Sequence, residues 1–323
     1  MKKILNKICS KKIDYIDDIE YVDYYLWNKI PIISKKLTYN SRKTYICKLK
    51  VSKRKIKDPY FTNELDLEKT FLSKEKPCKH SSIDIIIPIY NGFDYLPNLF
   101  NSLLQNTDLD YRLIVINDCS TDERIKPFLN EQQKKFKSKI ILIENETNLG
   151  FVKTTNIGLK ISNNHVALIN TDVQLPPNWA SRLFHPIFSN DKIASVTPFS
   201  NAATIFSLPN SCQNNILDGD FITIDKAISK LKMPPEEIEL PTGMGFCMAI
   251  NKKTLKEIGD FDEIFESGYG EENDWCQRAI NNGFINVIAS NLFVWHKHGG
   301  SFDSKTKKQL IKNHCKILQG DIQ

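Results

Sequence analysis

The chain has 323 residues, a hydrophobic fraction of 41% and a charged fraction of 25%, as expected for a globular protein with one large or two modest domains. No apolar run reaches the ~20 residues of a membrane-spanning helix. Its eight cysteines are scattered without a CxxC pair, which argues against a disulfide framework and a zinc site. We therefore expect a cytoplasmic protein that is soluble or peripheral at the inner face of the cytoplasmic membrane.

The net charge of +6 is concentrated at the N-terminus. Residues 1–80 contain 20 Lys/Arg and 10 Asp/Glu, whereas residues 81–323 contain 24 and 28. A basic N-terminal extension of this kind can be solvated, contact an anionic membrane surface or bind nucleic acid. It lacks a nucleic-acid recognition motif, so we expect no nucleic-acid partner. Within it, Ile13 to Trp27 suits a short amphipathic helix.

From residue 82 onward, short β-branched runs alternate with helical patterns. The predicted strands cover residues 83–88, 112–116, 139–144 and 165–169, and the predicted helices cover 94–106, 127–137 and 151–161. This alternation is typical of a doubly wound α/β sheet.

Polar side chains follow each predicted strand, namely Asn91, Asp118, Asn148 and Asp172. They fall at the carboxyl edge of the sheet, where open α/β folds bind ligands. No GxGxxG or GxxxxGK[ST] motif offers a phosphate cradle. A divalent cation on Asp172 would neutralise phosphates, since carboxylate oxygen suits Mg²⁺ or Mn²⁺.

A second polar cluster, Gly268 to Trp275, places Glu271 and Glu272 in the first turn of a helix that ends before Gly283. Acidic residues at this position also favour the positive end of the helix dipole. The cluster alone leaves a structural and a catalytic role equally open.

Taken together, these residues resemble family 2 glycosyltransferases of the GT-A fold. The matching motifs are Pro88 to Asn91, Asp118, Asn148 to Gly150 with Asn156, Asn170 to Asp172, Gly268 to Asp274 and Trp295-His296. The resemblance covers about residues 82–302 and implies a mostly parallel sheet flanked by helices. It also implies a nucleotide-sugar-binding half in residues 81–180 and an acceptor-binding, catalytic half in residues 181–323.

The resemblance implies a donor site at the sheet edge. Its expected contacts to base, ribose and diphosphate are Pro88, Tyr90, Asn91, Asp118, Asn148, Gly150, Lys153, Asn170 and Thr171. Asp172 matches the last acid of the family's DxD metal motif, whose first acid is Asn170 here. His296 matches the histidine that completes the site for Mn²⁺ or Mg²⁺.

Glu272 aligns with the general base of the inverting members, and Glu271 is the alternative. Thr242, Gly243 and Asp274 are expected beside the acceptor or donor sugar, although Asp274 also suits a role in bracing the loop. Pro241 to Met248 is expected to be a strand beneath the sugar. The segment from Thr197 to Asn201 resembles a sugar-contacting loop of polysaccharide-building relatives.

The resemblance implies an inverting, metal-dependent hexosyl- or deoxyhexosyltransferase. Its donor would be a UDP- or dTDP-sugar, and its acceptor a glycan or a lipid-linked saccharide in bacterial O-antigen or capsule synthesis. The alternative hypothesis is a catalytically inactive GT-A module that binds a glycan or a partner protein. The substitution at Asn170 supports that alternative, and Glu272 opposes it.

Overall fold

The structure is a computed structural model of the chain. It describes the backbone of five strands between residues 9 and 55, and residues 82–297 except 216, 218–219, 231–236 and 267. The chain divides into two compact units, Met1–Thr70 and Phe71–Gln323. No helix among the described residues combines the length and the apolar character that crossing a membrane requires.

The N-terminal unit contains an antiparallel sheet in which each strand pairs with the next. Its strands are β1 (Cys9–Ile16), β2 (Ile19–Leu26), β3 (Ile30–Thr38), β4 (Ser41–Ile46) and β5 (Leu49–Lys55). The helix predicted from Ile13 to Trp27 is therefore wrong. That segment is rich in Ile, Val and Tyr, and these β-branched and aromatic residues favour strands.

The second unit is built on a nine-stranded sheet. Its strands are β6 (Ser82–Ile89), β7 (Asp110–Asn117), β8 (Ile140–Glu144), β9 (His165–Ile169), β10 (Val173–Gln174), β11 (Ile193–Ser200), β12 (Glu239–Leu240), β13 (Cys247–Ile250) and β14 (Ile285–His296). Its helices are α1 (Leu96–Asn106), α2 (Ile125–Phe136), α3 (Phe151–Ile161), α4 (Trp179–Ser189), α5 (Phe221–Ile228), α6 (Lys252–Ile258) and α7 (Glu271–Asn281).

The strand order is β10-β14-β11-β13-β9-β6-β7-β8, with β12 paired to β14. Strands β6, β7, β8 and β9 are parallel, as are β11 and β14, whereas β13 runs antiparallel to both of its neighbours. The chain winds outward from β6 to β8 and then returns to the other side of β6 with β9. This reversal creates a switch point between β6 and β9, where ligands bind in open α/β sheets.

Helices cover both faces of the sheet, as the sequence predicts. One buried cluster includes Leu99, Leu129 and Trp179 from α1, α2 and α4. The other includes Val152 and Trp275 from α3 and α7. The central strand β6 is buried along almost its whole length, which explains its continuous apolar run, since parallel strands are covered on both faces.

The predicted elements of residues 83–169 agree with the observed ones to within about two residues at most ends, which is the usual disagreement between assignments. The strand expected from Pro241 to Met248 is partly wrong, because β13 begins only at Cys247. The preceding residues form turns that fold against other side chains. Gly243, for example, donates its N–H to Sγ of Cys276 at 3.1 Å.

Candidate functional site

The switch point brings together two of the predicted polar segments. Tyr90 and Asn91 follow β6, and Asn170 to Asp172 follow β9. Tyr90 is 47% exposed, and a Cβ on Gly92 would lie 3.9 Å from Oγ1 of Thr171. The two segments therefore approach each other at the carboxyl edge of the sheet, with the Tyr90 ring open to solvent.

Asn91 has a structural role at this edge. Its backbone is left-handed, with φ of 56°, a conformation that asparagine tolerates. Its Oδ1 accepts hydrogen bonds from the N–H groups of Thr121 (2.9 Å) and Asp122 (3.0 Å). Asn91 therefore ties the chain after β6 to the loop after β7. Its predicted contact with a nucleotide stays a prediction.

Asp118 is buried and organises the loop before α3. Its Oδ1 accepts from Nδ2 of Asn145 and from N–H of Leu149, both at 2.8 Å. Its Oδ2 accepts from N–H of Gly150 at 3.0 Å. Three donors of the chain thus use this carboxylate. The structure gives Asp118 a role in shaping the loop before α3, and base recognition by Asp118 stays a prediction.

The loop held by Asp118 leads into the N-terminus of α3. Gly150 has φ of 83°, a region that favours glycine. Asn148 is exposed and its Oδ1 accepts from N–H of Gly150 at 3.0 Å, and Lys153 is exposed in the first helical turn. Free N–H groups and the helix dipole make such a terminus suitable for an anion.

An open groove of about 580 Å³ adjoins this loop. It lies between the chain segments that follow β7 and β8, and its lining includes both chain neighbours of Asp118. Most of the residues that line it are polar in type, although apolar atoms contribute more of its surface; they are Asn117, Cys119, Ser120, Thr121, Asp122, Glu123, Lys126, Pro127, Asn130, Glu144 and Asn145.

Asp172 and His296 meet beyond β9. Val173 pairs with His296 in the β10–β14 ladder, and N–H of Lys297 donates to the carbonyl of Asp172 at 3.0 Å. This register places Nε2 of His296 3.3 Å from Oδ1 of Asp172. Both residues are buried, at 6% and 8% exposure.

The other ring nitrogen of His296 determines what this pair can do. Nδ1 lies 2.7 Å from the carbonyl oxygen of Ala202. A carbonyl only accepts hydrogen bonds, so Nδ1 carries the proton. In the neutral ring, Nε2 then presents its lone pair to the Asp172 carboxylate. Two acceptors at this distance suit a shared cation, and a backbone carbonyl on the other ring nitrogen is the usual support of a metal-ligating histidine.

The residues present therefore fit a divalent cation in part. Among the described residues, no group of three or more His, Cys, Asp and Glu side chains is placed to hold a metal ion. Asp172 and His296 offer two ligands, and Asn170 stands where a second acid would add a third. Mg²⁺ typically combines one or two carboxylates with substrate phosphates and water, so the missing ligands are those that a diphosphate supplies.

The acidic pair lies in a loop with an unusual backbone. The φ angles of Gly268, Tyr269 and Gly270 are 101°, 71° and 147°. Glycine adopts such positive φ angles readily, and two of the three residues are glycine. N–H of Gly270 donates to Oε2 of Glu271 at 3.0 Å. Because α7 starts at Glu271, this turn aims both glutamates away from the helix body.

This loop packs against the start of α3. N–H of Val152 donates to the carbonyl of Glu266 at 3.1 Å. A Cβ on Gly268 would lie 3.6 Å from both Cδ1 of Phe151 and Oε1 of Glu271. The acidic pair is therefore adjacent to the helix terminus that Asp118 and Gly150 organise.

The two glutamates differ in their environments. Burial raises the pKa of Glu271 well above its ordinary value, and the charge of Glu272 raises it further. Burial also raises the pKa of Glu272, while a hydrogen bond with Glu271 lowers it. Oε2 of Glu272 is buried and has no hydrogen-bond donor within the described part of the chain. The pKa of Glu271 is thus raised more strongly than that of Glu272.

Tyr269 connects the acidic pair to Asp172. Burial raises the pKa of its phenol, and the charges of Glu271, Asp172 and Glu272 raise it further. Coulombic effects weaken with distance, so Asp172 and the two glutamates lie near this half-buried side chain. A shared catalytic role of these residues stays a prediction.

Three further predicted residues lie along the inner side of α7. Oγ1 of Thr242 donates to Oδ1 of Asn273 at 2.7 Å, and Gly243 is buried against Cys276. Asp274 accepts from Nε of Arg278 at 2.7 Å, and Arg278 also donates to the carbonyls of Ile258 and Asp260. The position of Asp274 thus matches the bracing role, and contact of these residues with a sugar stays a prediction.

Comparisons with known proteins identify the family. Residues 84–259 match the sequence profile of glycosyl transferase family 2, which is more than half of the chain. The chain belongs to glycosyltransferase family 2.

Two curated relatives of this family 2 chain match most of its length. "Probable N-acetylgalactosaminyltransferase 7" of Caenorhabditis elegans is 23% identical over 74% of this chain and 44% of its own length. "Chondroitin synthase" of Escherichia coli is 24% identical over 73% of this chain and 38% of its own length. The chain thus spans less than half of each of these two relatives.

The fold comparison agrees. The crystal structure of GalNAc-T7 with UDP, GalNAc and Mn²⁺ superposes with a TM-score of 0.54 at 18% identity, over 67% of this chain and 44% of that one. The fold of residues 82–297 is accordingly the GT-A fold, and the predicted fold class is confirmed.

Sequence reasoning missed the contacts of four residues of this candidate site, although three of them lie in segments that it names. Asn145 and Phe246 support Asp118 and His296, Asn201 holds the backbone of His296, and Tyr269 stands among the acids. Only Tyr269 carried a usable signal, because a bulky residue between two glycines is unexpected in a tight loop. The others make contacts that only the folded chain creates.

Proposed function

We propose that this chain is an inverting, metal-dependent glycosyltransferase. It moves a hexosyl or deoxyhexosyl group from a UDP- or dTDP-sugar to a glycan or lipid-linked saccharide in bacterial surface polysaccharide synthesis. The observation that carries this proposal is the position of His296 3.3 Å from Asp172 at the carboxyl edge of the sheet, with the loop of Glu271 and Glu272 packed against the start of α3. This arrangement combines a cation site with a proton acceptor, as nucleotide-sugar transfer requires.

Glu272 is the general base of the proposed reaction. It removes the proton of the acceptor hydroxyl as that oxygen attacks the anomeric carbon. A positioned carboxylate typically accelerates such a step by about 10²–10⁴-fold. Its raised pKa suits this role, because a base is most effective when its pKa approaches the working pH. Glu271 is the less suitable base, since it is fully buried and accepts from Gly270.

The bond between the anomeric carbon and the diphosphate oxygen breaks as the new bond forms on the opposite face. The leaving nucleoside diphosphate retains the electron pair, so negative charge develops near Asp172 and the N-terminus of α3. Asp172 and His296 would hold a divalent cation, which supplies charge neutralisation of the diphosphate when bound. Lys153 and the N–H groups at the start of α3 would contribute from the protein side.

The relatives support parts of this proposal. The GalNAc-T7 structure contains UDP and Mn²⁺, which favours a UDP-sugar donor over a dTDP-sugar here. The E. coli relative is a chondroitin synthase, which favours a glycan acceptor.

Two measurements test the function. Thermal-shift screening of nucleotide-sugars with Mn²⁺ identifies the donor, because a ligand that binds the folded state raises its melting temperature. Early-time ¹H NMR of the product then reads the anomeric configuration. Retention of configuration would disprove the inverting mechanism. If no nucleotide-sugar raises the melting temperature and no acceptor elicits nucleoside diphosphate release, the inactive binding module becomes the better description.

The basic extension supports a second, separate proposal. Residues 1–80 carry twice as many basic as acidic residues, so they would rest on an anionic membrane at the cytoplasmic face. We expect the chain to sediment with vesicles of phosphatidylglycerol and phosphatidylcholine at low salt and to be released at high salt. Equal sedimentation with pure phosphatidylcholine vesicles would contradict an electrostatic contact.

A further inference from the structure

The side chain of Asn201, which directly follows β11, binds the backbone of His296. N–H of His296 donates to Oδ1 of Asn201 at 2.9 Å. Nδ2 of Asn201 donates to the carbonyl of His296 at 2.8 Å. Asn201 is only 6% exposed. Both polar ends of a buried side chain therefore bind the backbone of a single residue far along the chain.

The ladder between β11 and β14 explains why His296 needs these bonds. The last paired residues are Ser200 and Val294, so β11 ends before His296 is reached. A buried backbone N–H and C=O without partners would be costly. The amide of Asn201 acts as a substitute for the next residue of the strand and extends the ladder by one step.

The neighbouring residue acts on the imidazole ring. The carbonyl of Ala202 accepts from Nδ1 of His296 at 2.7 Å, and Phe246 stacks on the ring with centroids 5.0 Å apart and planes at 17°. The backbone of His296 is held by Asn201, and its ring by Ala202 and Phe246. Together these contacts leave Nε2 directed at Asp172, 3.3 Å away.

We propose that Asn201 is a positioning residue for the cation site. It keeps His296 in the one backbone position from which Nδ1 reaches Ala202 and Nε2 presents its lone pair beside Asp172. Asn201 itself does not touch the cation or the substrate. The segment from Thr197 to Asn201 is expected from the sequence to contact a sugar. Its last residue, Asn201, instead acts on the candidate cation site by holding the backbone of His296. This inference rests on the metal-dependent part of the proposed function.

The size of the effect follows from comparable metal sites. Loss of a partner that orients a ligating histidine typically weakens metal affinity by about 10–100-fold. We expect a loss of this size in Asn201→Ala, because the backbone of His296 is then no longer fixed and Nε2 can move away from Asp172. A purely structural role for Asn201 would lower stability without a matching loss of cation affinity.

The test is Mn²⁺ binding to the full chain by calorimetry, first with Mn²⁺ alone and then with Mn²⁺ and UDP together, because a diphosphate is expected to supply the remaining ligands. Asn156→Ala is the matched control. Asn156 is buried, and its amide accepts from N–H of Phe261 at 3.1 Å and donates to the carbonyl of Phe261 at 2.9 Å. Each substitution thus removes both side-chain bonds to the backbone of one residue, but only the first concerns His296. Asn201→Ala should bind Mn²⁺ about 10–100-fold more weakly than Asn156→Ala.

A second readout is the denaturation midpoint of each variant without Mn²⁺. Asn201→Ala and Asn156→Ala should lose stability alike, because each leaves one N–H and one carbonyl of the backbone without its side-chain partner. A loss of Mn²⁺ affinity in Asn201→Ala alone is then not an effect of stability. If Asn201→Ala does not fold, Asn201→Ser serves, since a hydroxyl is too short to span both backbone groups of His296.

The outcomes separate this inference from the function on which it rests. A wild type that binds no Mn²⁺ either alone or with UDP would remove the metal site from the proposed function. A wild type that binds Mn²⁺, with Asn201→Ala or Asn201→Ser binding it equally well, would overturn the positioning role alone.

Discussion

Nε2 of His296 lies 3.3 Å from Oδ1 of Asp172, and Asp172 immediately precedes Val173, which pairs with His296 in the two-residue ladder between β10 and β14. The geometry of an antiparallel pair, and not proximity in sequence, therefore builds the candidate cation site. Its remaining ligands are expected from the substrate, so occupancy of the site and donor binding should depend on each other.

Asp172→Ala should weaken donor binding strongly in Mn²⁺ and only slightly in chelator, because the carboxylate acts mainly through the cation. The measurement is calorimetric titration of the nucleotide-sugar identified by screening, with and without Mn²⁺. Asp110→Ala is the control, since Asp110 is exposed at the start of β7, at the opposite end of that strand from Asp118. An equal effect of Asp172→Ala in both conditions would remove Asp172 from the cation site.

Glu272→Gln should fold normally, bind donor and lose turnover by about 10²–10⁴-fold. An amide cannot accept the proton of the acceptor hydroxyl, although it occupies nearly the same space. The measurement is nucleoside diphosphate release at saturating donor, beside donor affinity by calorimetry. Glu271→Gln is the comparison variant and should lose less turnover, since the amide oxygen of the glutamine can still accept from N–H of Gly270. The reverse order of activities would make Glu271 the base.

The acidic pair should make the free energy of unfolding depend on pH. The folded-state pKa of Glu271 is raised well above its ordinary value of 4.5, so the folded state binds the proton more tightly than the unfolded state. The stabilisation that this tighter proton binding gives the folded state is complete below pH 4.5 and is lost as the pH rises through the folded-state pKa of Glu271. Chemical denaturation across this range should therefore show a smaller decline in stability for Glu271→Gln than for wild type.

Glu123→Gln serves as the control for that series, because Glu123 is an exposed glutamate in the loop before α2. Its stability should follow the wild-type curve at every pH. Parallel curves for Glu271→Gln and wild type would show that the buried pair does not hold an extra proton.

Asp118→Ala should destabilise the protein and abolish nucleotide binding together. Three donors, from Asn145, Leu149 and Gly150, lose their acceptor, and each buried unsatisfied group costs about 1–3 kcal/mol. Denaturation measures the first effect and calorimetry the second. Full stability with lost binding would instead indicate that Asp118 acts on the base directly.

Gly158→Ala should destabilise the fold by about 1–3 kcal/mol through overpacking. The added Cβ would lie 2.6 Å from Cγ2 of Ile86 and 3.1 Å from Cδ1 of Ile116, which are fully buried in the central strands. Gly245→Ala is the control, because its Cβ would meet only Cδ2 of Leu168, at 3.9 Å. Equal denaturation midpoints for the two variants would show that α3 shifts to accommodate the methyl group.

The sequence predicted the sheet edge well because it depends on local patterns. Short apolar runs mark β6 to β9, and the polar residues after each run mark their carboxyl ends. The first turn of α7 and its C-terminal glycine, Gly283, were also readable. In contrast, the N-terminal strands were mistaken for a helix, since Tyr-, Ile- and Asp-rich segments satisfy both helical and alternating patterns over short lengths.

The amino-acid sequence by itself determined the family, the order of the strands along the chain and the candidate acids. Only the tertiary structure decided which nitrogen of His296 faces Asp172, which of the two glutamates is fully enclosed, and that Asp274 turns toward Arg278. These properties follow from strand register and loop paths that join residues remote in sequence, and no local pattern encodes the resulting side-chain contacts.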